Sequence, residues 1–268
     1  MKMGIIPNEP TQKAALENRV AGVFVHVSDL RRSAEWYSRL LGLPVLEERL
    51  NGGPVYWLEL PGTHLILDND SHNRQQPDWQ EWQQPRLMLP ARGIEQAVLQ
   101  LQDAGAELIG GVEDHGSMAY CNFRDPEGNV LMACWTGQPS EDMADASGGP
   151  IRPRIGGVFL DVRDLPAAAR WYCGLFGLQL TEPPAGETIY SVPVSRGASL
   201  LLDSNRHVNQ ESFTELFYLE TDDFEAALAY ARELGCELAD GPNFFDDLSE
   251  FALLDPDGNR IVIAQMKG

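Results

Sequence analysis

An imidazole and a carboxylate stand at the same place in two copies of one nine-residue stretch. The first copy reads Gly22-Val-Phe-Val-His-Val-Ser-Asp-Leu30 and the second Gly157-Val-Phe-Leu-Asp-Val-Arg-Asp-Leu165. His26 and Asp161 are groups that can take and return a proton or hold a cation. Strand alternation puts each on one face with an aromatic ring, Phe24 or Phe159, and with Gly22 or Gly157. Val23, Val25, Val27 and Val158, Leu160, Val162 face the other way. The polar and aromatic face is the one a binding cavity would show.

Other side chains with usable chemistry lie on neighbouring runs. Arg86 suits an anionic group, and Phe24 and Phe159 suit a planar or apolar one. Asp161 with Glu220 would make a carboxylate pair able to hold an amine or share a proton. Trp57 and Tyr190 belong to wall strands, where one of each adjacent pair (Tyr56 or Trp57 in the first copy) must turn outward. His26, His64, Asp68 and His115 are the donors from which an unorthodox metal site could be built, with His26 and His64 foremost. His207 falls in a connector, and Trp79 and Trp82 fit interdomain packing or a lid. No Gly-x-Gly-x-x-Gly, phosphate loop, Gly-x-Ser-x-Gly or His-Glu-x-x-His occurs.

The elements that must position these groups repeat. After the strand at 22–27, Asp29 caps a helix whose stripe is Leu30, Ala34, Tyr37 and Leu41, and Gly42 ends it. Strand-like runs follow at 43–48, 54–60 and 64–68. A second unit runs from a strand near 86–90 through a helix at 94–104 to a hairpin on Asp125-Pro-Glu-Gly-Asn129. Adding 135 maps Trp36-Tyr37 onto Trp171-Tyr172 and Asp68 onto Asp203. After a five-residue shortening, adding 130 maps Asp125 to Asn129 onto Asp255 to Asn259. The chain is therefore a tandem duplication, each half holding two similar units. Residues 1–18 read as a loose N-terminal arm, 19–136 as the first domain, 137–153 as an aperiodic linker and 154–268 as the second domain.

The x-Asp-Leu strand end, the Trp-Tyr pair before Leu-Gly-Leu and the Asp-Pro-x-Gly-Asn hairpin, in order and twice, resemble the vicinal oxygen chelate superfamily. That group includes glyoxalase I, bleomycin and fosfomycin resistance proteins and extradiol dioxygenases. The resemblance implies an α+β fold: four βαβββ units paired into two domains, each a curled mixed sheet forming a cup with helices outside. It also implies where a metal would sit. Metal-using members carry His or Glu seven residues before the Asp of x-Asp-Leu, and Glu seven residues after the Asp of the closing turn. Here those positions are Gly22 and Gly157, then Met132 and Val262, with Arg86 and Leu216 counted as the third pair. None is a hard donor, so the inherited metal centre is expected to be missing, and no cofactor is expected, with a divalent ion at relocated ligands left open. Met132 then becomes a lining residue.

A net charge of −20 excludes nucleic acid and anionic membranes as natural partners, and suits a cationic compound as well as it suits solubility. No apolar run has the length of a bilayer span and the N-terminus has no long apolar core, so the expected location is cytoplasmic. The four cysteines form no Cys-x-x-Cys pair and read as buried thiols. The function this points to is binding or sequestering a small organic molecule in a cup. The alternatives are a metal-dependent lyase or dioxygenase with relocated ligands, and a metal-independent isomerase using His26 or Asp161 as base. A scaffold with filled cups is a third possibility, and monomer and homodimer are both open.

Overall fold

The computed structural model describes residues 15–69, 84–137, 148–205 and 215–267. Within them the order is β1 (Gly22–His26), α1 (Leu30–Leu41), β2 (Val55–Leu58), β3 (His64–Asp68), β4 (Leu87–Pro90), α2 (Ile94–Asp103), β5 (Glu107–Asp114), β6 (Met118–Arg124) and β7 (Val130–Thr136). The second half repeats it: β8 (Gly157–Asp161), α3 (Leu165–Leu175), β9 (Ile189–Val192), β10 (Ser199–Asp203), β11 (Glu215–Glu220), α4 (Phe224–Glu233), β12 (Glu237–Phe244), β13 (Leu248–Leu254) and β14 (Arg260–Met266). The strands form two mixed seven-stranded sheets, ordered β12-β13-β14-β11-β1-β3-β2 and β5-β6-β7-β4-β8-β10-β9. By contact density the chain divides into one compact unit of Val23–Val158 and another of Met1–Gly22 with Phe159–Gly268.

Each helix covers one face of its strands: α1 packs on β2 and β3, α2 on β5 to β7, α3 on β9 and β10, and α4 on β13. Asp29, Asp164 and Asp223 accept the backbone N–H three residues on, capping α1, α3 and α4. Gly42 takes φ 67° at the end of α1, a left-handed conformation that costs glycine nothing. Under the helices lies the core, with Val23, Val25, Val27, Leu65, Leu67, Val158, Leu200 and Leu202 all fully buried.

The run at 43–48 is not a strand. Pro44 has no N–H for a ladder, and Glu47–Arg49 wind into a 3-10 turn from which Arg49 reaches back to the Trp57 carbonyl at 2.7 Å. The ends of the expected arm and linker are also anchored. The Glu17 N–H donates to the Glu220 carbonyl at 2.9 Å, and Ile151 pairs with Ala91. Both contacts extend a neighbouring strand by backbone hydrogen bonds. Residues 1–14 and 138–147, and with them most of the linker, lie outside the described residues, as do Trp79, Trp82 and His207.

The Asp-Pro-x-Gly-Asn turns bind helix to sheet. The buried Tyr37 hydroxyl donates to Asp125 at 2.8 Å, and Asn129 Nδ2 donates to the His26 carbonyl at 3.0 Å. In the second copy Tyr172 donates to Asp255 at 3.0 Å, and Asn259 donates to the Asp161 carbonyl at 3.0 Å. The turns therefore fix the strand ends that carry His26 and Asp161.

Glu127, in the first turn, accepts from the Ser28 N–H at 2.8 Å, from the Ser28 hydroxyl at 2.6 Å and from Arg32. Burial acts to raise its carboxyl, but Ser28 and Arg32 outweigh that and hold it below the usual glutamate value. A depressed folded value contributes stability that is present above the unfolded glutamate range and lost as pH falls through the folded one. Asp125 behaves oppositely: burial raises its carboxyl, so protonation in acid does not weaken the folded state through this group. The acid limb of a melting-temperature profile should therefore flatten in Glu127→Gln. An unchanged limb would remove Glu127 from the account.

Candidate functional site

On β1 to β3 the face away from α1 is aromatic and polar. β2 and β3 pair with Trp57 opposite Ile66 and Tyr56 opposite Leu67. Trp57 thus shares a face with His64, Ile66 and Asp68, and its ring lies 6.2 Å from that of His64. Tyr56 is buried on the other face, accepting the Leu46 N–H at 3.0 Å. His26 Nδ1 lies 3.3 Å from Asp68 Oδ2, and both residues are buried. Phe24, half-buried, stands two residues before His26 on the same face. This face therefore gathers Phe24, His26, Trp57, His64 and Asp68. His64 lies four residues along β3 from Asp68, too far to join a shared ion. Among the described residues no group of three or more His, Cys, Asp or Glu could hold a metal. His115 lies beyond β5, exposed, with its ring stacked on Tyr120.

The equivalent face of β8 to β10 carries Phe159, Asp161, Ser191, Leu201 and Asp203. Tyr190 is not on it. Its hydroxyl lies 3.5 Å from Cys173 Sγ on α3, and burial and that thiol push it up to about 12. The ligand-lining expectation for Tyr190 is therefore corrected. The side chain matches core Tyr56, and the outward residue is Ser191, because the pleat allows only one of two neighbours to face each way. Nor do Asp161 and Glu220 make a carboxylate pair. Their strands, β8 and β11, belong to different sheets, and Glu220 pairs with Arg19.

The metal positions fall into two rows. In unit 23–158, Met88 on β4 pairs with Met132 on β7 and with Gly157 on β8. Asn122 on β6 extends the row beyond Met132, and Ile109 on β5 ends it. In the other unit Val262 pairs with Tyr218, and Ala252 extends that row. The Ala21 N–H donates to the Tyr218 carbonyl at 3.0 Å, as the Gly156 N–H does to Met88 at 2.8 Å, which brings Gly22 to the place Gly157 holds. The third position is therefore Met88 or Tyr218. The sequence count, Arg86 and Leu216, was two residues short, because the start of β4 cannot be read from apolar pattern. Arg86 precedes β4 and is fully buried.

These donor sets do not fit the metal that the fold implies. Glycine and valine donate nothing, and thioethers are soft ligands suited to copper(I) rather than to hard divalent ions. The one phenol, Tyr218, is raised by burial and by Glu220 against a smaller opposing pull from Arg19, so it keeps its proton. The four cysteines are unpaired. Burial pushes Cys121 and Cys236 up to about 11, far from a usable thiolate.

What the first unit's row does present is a soft apolar strip with one polar handle. Met88 and Met132 are both half-buried on adjacent strands. Asn122 Oδ1 is shielded from solvent with no hydrogen-bond partner among the described residues. Sequence reasoning missed Met88 and Asn122. The signal was present, since both stand in strict alternation with buried Leu87, Leu89, Cys121 and Phe123.

Comparison with known proteins agrees with this architecture. Residues 154–263 match the family profile described as Glyoxalase/Bleomycin resistance protein/Dioxygenase superfamily, and residues 22–134 match a Glyoxalase-like domain. The chain belongs to that superfamily, as a member with two such domains in tandem. Glyoxalase I from Zea mays aligns with a TM-score of 0.61 at 15% identity, covering 92% of each chain. A putative dioxygenase from Bacillus subtilis aligns with a TM-score of 0.61 at 12% identity, covering 95% of this chain and 87% of that one. Likenesses at such identities show the fold alone. No curated protein sequence matches the chain.

Proposed function

We propose that this chain is a member of its superfamily that has lost the metal and binds or sequesters a small organic molecule. The observation that supports this is the Gly157–Met88–Met132 row, where glycine and thioethers stand where an ion would need oxygen and nitrogen donors, with the unpartnered Asn122 Oδ1 at its edge. Methionine adapts its shape to apolar and aromatic surfaces, so the row suits an organic body, and Asn122 can fix its orientation. Association of this kind needs shape and burial but no chemical step. The strongly acidic surface and the sheet face bearing Phe24 and Trp57 are compatible with the same reading.

The test combines elemental analysis of chain purified without chelators with thermal unfolding against a panel of small aromatic compounds. The reading expects metal far below one ion per chain and a melting-temperature rise with at least one compound class. Stoichiometric nickel, zinc, manganese or iron would overturn it, as would a panel without effect.

A second reading, metal-independent proton transfer, is favoured by the placement of buried His26 Nδ1 3.3 Å from Asp68 Oδ2, which sets a candidate base beside a carboxylate. Recovery of unchanged ligand after incubation supports sequestration. Product formation that His26→Gln abolishes supports the base.

A further inference from the structure

One short ribbon is built twice, and the arginine that two glutamates hold in the first copy meets neither of them in the second. Ahead of β1, the Glu17 N–H donates to the Glu220 carbonyl at 2.9 Å, the Arg19 N–H to the Glu17 carbonyl at 2.9 Å and the Ala21 N–H to the Tyr218 carbonyl at 3.0 Å. Ahead of β8, the Arg152 N–H donates to the Pro90 carbonyl at 2.9 Å, the Arg154 N–H to the Arg152 carbonyl at 2.8 Å and the Gly156 N–H to the Met88 carbonyl at 2.8 Å. The three bonds correspond one to one, so Arg154 takes the place of Arg19, Arg152 that of Glu17, and Pro90 that of Glu220.

The side chains differ in charge. Arg19 is held by two carboxylates, with Nε 2.6 Å from Glu17 and an Nη contact to Glu220, and Glu17 also meets Arg196 at 2.8 Å. Arg154 has lost both acids to substitution. Its side chain makes no hydrogen bond or ion pair among the described residues, and its Nε is shielded from solvent. A guanidinium whose N–H is withdrawn from water without an acceptor carries a desolvation cost that a bound anion would offset. The same planar fork that grips two glutamates in one copy meets neither in the other, where Pro90 and Met88 stand in the places of the Glu220 and Tyr218 that lie near Arg19.

We propose that Arg154 is an anion-recognition residue in unit 23–158, and that the small molecule bound there carries a carboxylate or phosphoryl group. This rests on the reading above and narrows it: an organic body lies along Met88 and Met132, and its anionic end is held by Arg154. Arg19, already neutralised, offers no such place in the other unit. The net charge of −20 opposes the approach of an anion, so the contact with Arg154 must outweigh that repulsion.

Isothermal titration of the full chain with phenylacetate, phenylphosphonate and the neutral phenylacetamide tests it. The anions should bind about tenfold or more tightly than the amide, and the better of the two assigns carboxylate or phosphoryl recognition. Arg154→Gln should erase the difference, and Arg19→Gln should leave it. Pro90→Glu installs the acid that Glu220 supplies in the other copy, so it should also erase anion preference while the melting temperature holds or rises, reporting an intact fold. Equal binding of acids and amide overturns anion recognition and leaves small-molecule binding standing. So does a preference that survives Arg154→Gln. Absence of binding by all three compounds overturns both.

Discussion

Asp125→Ala is expected to lower the stability of its unit by about 3 kcal/mol, the largest loss we anticipate from any single polar truncation. The carboxylate collects four donors. Its Oδ1 accepts the Glu127 N–H at 2.9 Å and the Asn129 N–H at 2.8 Å, and its Oδ2 accepts the Tyr37 hydroxyl at 2.8 Å and Asn129 Nδ2 at 3.2 Å. Removing it leaves the Tyr37 phenol and the Asn129 backbone N–H buried without acceptors, which costs more than the lost bonds themselves, while Asn129 Nδ2 keeps the His26 carbonyl. Tyr37→Phe removes one donor and leaves Asp125 with three, so about 1–2 kcal/mol is expected there. Urea unfolding followed by tryptophan fluorescence measures both. Asp255→Ala and Tyr172→Phe should behave alike in the second copy, where Asp255 accepts from the Asp257 and Asn259 N–H groups, the Tyr172 hydroxyl and Asn259 Nδ2. A loss under 1 kcal/mol for Asp125→Ala would show that the turn is held by its own geometry and not by the carboxylate.

The second large effect is a gain. Gly157→His with Met88→His and Met132→Glu should give a chain that retains a stoichiometric nickel or cobalt ion through gel filtration, where the native chain is expected to retain none. The reasoning is geometric. Positions 157, 88 and 132 are paired in one row across three adjacent strands. Neighbouring strands are about 4.8 Å apart, so imidazole and carboxylate arms from the outer two can meet over the middle one. Positions 88 and 132 are half-exposed, which lets the new side chains enter without displacing core. Elemental analysis and the visible spectrum of the cobalt form give the readout. A correctly folded triple variant that binds no ion would mean that this row is not the family's metal position, and the interpretation of the native residues would lose its footing.

Much of this architecture is legible in the amino-acid order. The duplication, the capping aspartates Asp29 and Asp164 and the Asp-Pro-x-Gly-Asn turns are local signals, readable because capping and turn geometry involve residues only a few positions apart. The face of β1 that bears Phe24 and His26 follows from alternation with three valines that must be buried. The lack of hard donors at Gly22, Gly157, Met132 and Val262 needs no structure at all, since no fold can supply an atom that the side chain does not contain.

Only tertiary structure decided the rest, because it depends on partners far apart in the chain. Register across β4, β7 and β8 selected Met88 over Arg86, a shift of two residues that composition cannot detect in a four-residue strand. Pairing on the pleat sent Tyr190 into the core and Trp57 to the open face. Glu220 went to Arg19, 201 residues away, and Arg154 was left with neither of that arginine's acids. A charge's meaning lies in what stands within a few ångströms of it, and that is set by the packing of distant segments.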